Sequence, residues 1–144
     1  MQFAALYLPV YNKNVMQEEK HTPQQHWQVR EAAERLKKIR SRRDRDLEER
    51  RKRARKWGYA IAGQLGQADP SLKRVIGFGS VYETWRNFRE DSDIDLAIQG
   101  GDWSYCTKIL PSGEFKVSLV ELDLQNQEFT DQVLAHGEVL YERS

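Results

Sequence analysis

Arg74-Val75-Ile76-Gly77-Phe78-Gly79-Ser80, answered after a short spacer by Ser92-Asp93-Ile94-Asp95-Leu96-Ala97-Ile98, decides how this 144-residue chain is read. The first run is short, apolar and β-prone before its Gly-Ser ending. The second alternates carboxylate and aliphatic residues, the period of a half-buried strand. Residues two apart on a strand share a face, so Asp93 and Asp95 point the same way while Ile94, Leu96 and Ile98 face a core. Two carboxylates held side by side repel each other, a cost that a divalent cation offsets. A Gly-Ser turn leaving a strand suits backbone amides and a hydroxyl that hold phosphate oxygens. A phosphate cradle beside a metal-binding Asp pair points to nucleotide chemistry.

This pattern resembles the minimal nucleotidyltransferases, the small members of the polymerase-β-like superfamily. Phe115-Lys116-Val117-Ser118-Leu119-Val120-Glu121-Leu122 and His136-Gly137-Glu138-Val139-Leu140-Tyr141-Glu142 follow in the family's order, so the resemblance spans roughly residues 57–143. It implies a Mg²⁺-dependent enzyme that moves a nucleoside monophosphate, AMP from ATP, to a hydroxyl of a macromolecule. Gly79 and Ser80 would hold the β- and γ-phosphates, and Asp93 and Asp95 would be catalytic and hold Mg²⁺. One ion of a two-metal site rides on the triphosphate and the other activates the attacking hydroxyl. The resemblance also implies a toxin–antitoxin setting, with this chain as antitoxin and a small helical ribonuclease of the HEPN group as its partner.

The chain departs from the family pattern in three places. Gly79-Ser80 continues as Val81-Tyr82-Glu83-Thr84 where the family commonly has a small residue, an Arg and a Gly. The spacer is long, and its Arg86 and Arg89 are candidate triphosphate clamps, since guanidinium forks match phosphate geometry. Trp85 and Phe88 are expected to close a loop core. The link from Ile98 to Val117 has room only for a brief helix near Trp103–Leu110. Where family members place a third carboxylate, this chain has Ser118. Glu121 takes that role only if a bulge turns it inward, and Asp123 at the strand end is a second candidate.

Charge is unevenly spread although the formal net charge is +1. Residues 30–56 hold 14 Lys+Arg against 6 Asp+Glu, and the rest of the chain holds 9 against 16. A basic segment is therefore joined to an acidic domain. Its Arg50-Arg51-Lys52-Arg53 cluster exceeds what helical i,i+4 pairing uses, which suits RNA or an acidic partner protein. One cysteine, Cys106, excludes an intrachain disulfide framework and suits the cytoplasm. The apolar start, Phe3 to Val10, is too short for a membrane span and lacks a secretory signal's basic lead.

Three parts are expected: an N-terminal arm over 1–23, a long basic helix over 24–56, and a nucleotidyltransferase domain over 57–144. Good helix formers dominate from Gln24 to Leu65. Asn126 is placed to cap a helix carrying Phe129, Val133 and Leu134, with Gly137 as its stop. Val139-Leu140-Tyr141 would form a terminal edge strand. The class is α/β, a small mixed β-sheet with helices packed on one side. Two other functions remain open alongside the enzyme: a degenerate module that binds and neutralises a partner protein, and an RNA-directed transferase guided by the basic helix. A homo-oligomer is compatible with either.

Overall fold

The computed structural model describes residues 23–144. The expected N-terminal arm lies, apart from Pro23, outside them. Helix α1 (Pro23–Ala68) comes first, followed by strand β1 (Leu72–Phe78), a 3₁₀ turn (Gly79–Val81) and β2 (Ile94–Gly100). The short helix α2 (Trp103–Lys108) leads to β3 (Val117–Glu121). A second 3₁₀ turn (Leu122–Leu124), α3 (Gln127–His136) and β4 (Glu138–Glu142) complete the chain. Proline opens α1 because its fixed φ suits a first helical position, where no amide donor is needed. Among the described residues no helix is long and apolar enough to cross a membrane.

The four strands form one mixed sheet in the order β3-β2-β1-β4. β1 lies antiparallel to both β2 and β4, and β2 runs parallel to β3. The parallel pair is reached through α2, whose first turn is capped by the Asp102 side chain accepting from Tyr105 N–H at 3.1 Å. Asp69 ties this corner together. Its carboxylate accepts from Ser71 Oγ at 2.6 Å and from Asp102 N–H at 2.7 Å, and these bonds hold its pKa down.

Ala54, Ile61, Ala62 and Leu65 of α1 recur at helical spacing and are fully buried. They pack in one cluster with Val75, Ile94, Leu96, Ile98 and Leu119 from the sheet. Ile76, Ala97, Leu122 and Val133 form a second cluster on the opposite strand face, with Phe78, Val120 and Phe129 against it. Successive strand residues point to opposite faces, so Val75 and Ile76 serve different layers. The sheet is thus covered by α1 on one face and by α3 on the other, where packing on one side was expected. Phe129 and Val133, four residues apart on α3, supply the stripe that makes the difference. Asn126 and Gly137 cap α3 as expected, Asn126 Oδ1 accepting from Phe129 N–H at 2.8 Å.

Two compact units divide inside α1, between Arg43 and Asp44. The turns from Asp44 to Lys56, assigned from sequence to the basic helix, therefore belong with the sheet. Arg50 and Arg53 bond Glu114 at 3.3 and 3.0 Å, and Arg55 bonds Glu138 at 2.7 Å. The expectation that this basic cluster exceeds internal pairing is corrected for Arg50 and Arg53: their shared acceptor, Glu114, is more than sixty residues away in sequence, beyond any i,i+4 count. In the other unit the helix carries exposed Trp27, Leu36 and Ile39 among exposed basic residues.

Candidate active site

β1 ends at Phe78, which pairs with Asp95 of β2. The chain then turns sharply at Gly79, whose φ of +73° lies in the left-handed region. A side chain there would be strained. It would also have no room, because the Asp95 carboxylate packs directly against the Gly79 Cα. The 3₁₀ turn closes with Tyr82 N–H and Glu83 N–H donating to Gly79 O at 3.2 and 2.9 Å. Below it the Tyr82 ring covers Gly77, and its hydroxyl donates to Arg55 O at 3.1 Å.

α1 braces the same turn. Arg51 Nε donates to the carbonyls of Ser80 and Val81, each at 3.1 Å. With its carbonyls held from the helix side, the turn has a fixed backbone orientation. Arg55 adds an ion pair to Glu138 at the start of β4, and Tyr59 Oη donates to the same carboxylate.

A cavity of ≈ 220 Å³ opens beside the turn. Gly79, Glu83, Arg86 and Asp95 form its polar wall, and Phe78, Phe129 and Val133 its apolar one, with Gln132 at the edge. Glu83 is buried, and its Oε2 accepts from Gly79 N–H at 2.6 Å and from Arg86 Nε at 3.0 Å. The Arg86 guanidinium also lies 4.4 Å from the centre of the Trp85 ring. The Asp95 carboxyl is pushed up to about 6, mainly by burial and then by the charge of Asp93, with Arg86 opposing.

Gly79, Asp95 and Arg86 are therefore brought together. Asp93 precedes β2 and acts on Asp95 through its charge, and Ser80 follows Gly79 in the turn. Arg89 is exposed outside the cavity, its backbone N–H donating to Ser92 Oγ at 2.8 Å. Glu121 is not brought in either. β2 and β3 pair without a bulge, Asp95 with Ser118 and Ile98 with Glu121, so strand alternation leaves Glu121 on the face opposite Asp95. Asp123 accepts from Gly100 N–H at 3.2 Å, at the far end of β2. Of the two spacer aromatics, Phe88 packs against the core as expected, but Trp85 is 65 % exposed.

Glu83 was missed in the sequence, although it stands in the four residues that depart from the family pattern. Among the described residues, neither Asp93 nor Asp95 forms an ion pair, and no group of three or more His, Cys, Asp or Glu could hold a metal. The carboxylates of Asp93 and Asp95 are the oxygen donors that would fit Mg²⁺, which commonly takes one or two protein carboxylates and completes its octahedron with substrate phosphates and water.

A family model described as "Polymerase beta, Nucleotidyltransferase" matches residues 64–144. Among solved structures, a toxin–antitoxin crystal structure with AMP-PNP is 24 % identical, with TM-score 0.47, over 60 % of this chain and 74 % of that one. A mutant of the toxin–antitoxin MntA-HpeT is also 24 % identical, with TM-score 0.44, over 56 % of this chain and 70 % of that one. A Sulfolobus solfataricus protein assigned to the nucleotidyltransferases is 20 % identical, with TM-score 0.49, over 67 % of this chain and 87 % of that one. No curated protein matches significantly.

Proposed function

Since the chain belongs to the polymerase beta nucleotidyltransferase family, we propose that it transfers a nucleoside monophosphate, AMP from ATP, to a hydroxyl of a macromolecule in the cytoplasm. The observation that carries this reading is the Asp95 carboxylate packed on Gly79 inside a cavity that also presents Arg86. Gly79 N–H, Ser80 and Arg86 face the triphosphate and orient its α-phosphate for in-line attack. Asp93 and Asp95 hold Mg²⁺, which when bound neutralises charge on the phosphates and the leaving pyrophosphate. Asp95, with its raised pKa, is placed to orient the acceptor hydroxyl. Phe129 and Val133 exclude water from one side of the reacting phosphate.

For the acceptor we propose a partner protein, a HEPN-type toxin that this chain neutralises as antitoxin. That choice rests on the resemblance of the Gly79–Ser80 and Asp93–Asp95 motifs to the minimal nucleotidyltransferases. A second reading is favoured by one specific observation: Ser118 occupies the position beside Asp95 where a third carboxylate would sit. A site with two acids retains Mg·ATP better than it activates a hydroxyl, so the chain would then bind its partner without modifying it.

α-Labelled ATP and Mg²⁺ in a lysate of the source organism separate the two readings. Label transferred to one macromolecule by the natural chain, and lost in Asp93→Asn/Asp95→Asn, supports the transferase. Transfer by Ser118→Asp alone supports the degenerate binder.

A further inference from the structure

Two of the three groups assigned above to the triphosphate, Gly79 N–H and Arg86, converge on a single oxygen of this chain's own Glu83. That side chain is 5 % exposed. Its Oε2 receives Gly79 N–H at 2.6 Å and Arg86 Nε at 3.0 Å. An amide and a guanidinium on one carboxylate oxygen are the contacts that a phosphate oxygen would make there. Asp95 lines the same cavity of ≈ 220 Å³, so an entering polyphosphate meets two carboxylates, with Gly79 N–H and Arg86 Nε already bonded to one of them. The backbone leaves Glu83 a way out. Glu83 N–H stays bonded to Gly79 O at 2.9 Å, which keeps the turn intact, while the next residues, Thr84 to Asn87, are exposed. Rotation of the side chain alone would free both donors.

We propose that Glu83 is a built-in anion that holds the phosphate cradle closed, and that a polyphosphate ligand must displace its carboxylate from Gly79 and Arg86 to enter. This inference rests on the nucleotide reading above, and it makes Glu83 the residue that sets nucleotide affinity.

The test is calorimetric titration of the full chain with inorganic tripolyphosphate and, separately, with Mg·ATP. Natural chain, Glu83→Gln and Glu83→Asp are compared. Removing the charge in the first variant, and shortening its reach to Gly79 in the second, should each tighten tripolyphosphate binding at least about tenfold. Binding that is equal or weaker in both variants overturns the proposal. If circular dichroism shows that the variants do not fold, the natural chain still decides. Saturating tripolyphosphate should shift the ¹³C resonance of the Glu83 side-chain carboxyl, and an unmoved resonance overturns the latch. Tighter tripolyphosphate without any ATP binding upholds the latch and removes the nucleotide reading. Equal ATP and tripolyphosphate binding by all three chains does the reverse.

Discussion

Ser118 stands directly beside Asp95, its register partner across the parallel β2–β3 pair. An acid placed at 118 would therefore complete a three-carboxylate cluster without any change of backbone. Ser118→Asp should tighten Mg²⁺ binding about tenfold, because a third oxygen ligand replaces water. It should also lower Tm in the absence of metal, since like charges are then forced together. Melting curves with and without Mg²⁺ test both effects. A variant whose Tm ignores the metal would mean that position 118 does not reach the ion.

Gly79 meets two demands at once, a left-handed φ and contact with the Asp95 carboxylate. Gly79→Ala should destabilise the fold by about 2 kcal/mol from the backbone conformation alone, and it should abolish Mg·ATP binding. Gly63→Ala is the control. It lies within α1 with open space around the position of a Cβ, and should stabilise the chain by about 0.5–1 kcal/mol. Urea denaturation of both variants gives the comparison, and equal effects would remove the steric argument.

The raised pKa of Asp95 has a definite sign in stability. In the unfolded chain the carboxyl releases its proton near 3.8, and in the native state near about 6. Between these values the native protein binds more protons, so its stability is greatest at the acidic end and falls as pH rises through about 6. Mg²⁺ binding should run the opposite way and weaken below about pH 6, as the proton competes for the same oxygen. Asp95→Asn should flatten this part of the stability profile and raise metal-free Tm at neutral pH. A Tm profile of Asp95→Asn that matches the natural chain between about pH 4 and about pH 7 would refute the assignment.

The turn at Gly79 was legible as Gly-Ser at the end of an apolar run, and the side of β2 on which Asp95 lies follows from strand parity, whereas Asp93 precedes the strand and parity does not place it. The caps of α3 were legible as local patterns, since Asn126 and Gly137 act on neighbours three or four residues away. Glu83 was not, because its inward path depends on a tight turn that returns it to Gly79, and nothing in Val81-Tyr82-Glu83-Thr84 reveals that direction. Trp85 and Phe88 show a similar limit: both are apolar spacer residues, but only Phe88 finds the core. The burial of α3 on the second sheet face turned on Phe129 and Val133, visible as a stripe but not as a stripe with a destination. Arg51 was read as part of a charge cluster, because a charge count cannot see carbonyl acceptors about thirty residues onward in a folded turn.

That last residue gives the sharpest contrast between charge and position. Arg51 donates to Ser80 O and Val81 O, both carbonyls of the turn proposed above to hold phosphate. Its neighbour Lys52 makes only a 3.8 Å pair with Glu49, with both side chains more than 60 % exposed. Arg51→Met keeps most of the aliphatic stem but removes the donor to Ser80 O and leaves Val81 O only its 3.5 Å bond from Arg55, at a cost of about 1–3 kcal/mol. Lys52→Ala should cost less than about 0.5 kcal/mol. If Arg51 fixes the orientation of the turn, its replacement should also weaken Mg·ATP binding at temperatures well below the variant's own Tm, where the chain is fully folded. Lys52→Ala should leave affinity unchanged under the same conditions. Affinity that tracks only the folded fraction would reduce Arg51 to a general stabiliser, whereas a loss that persists in the fully folded variant marks it as the residue through which α1 sets the geometry of the cradle.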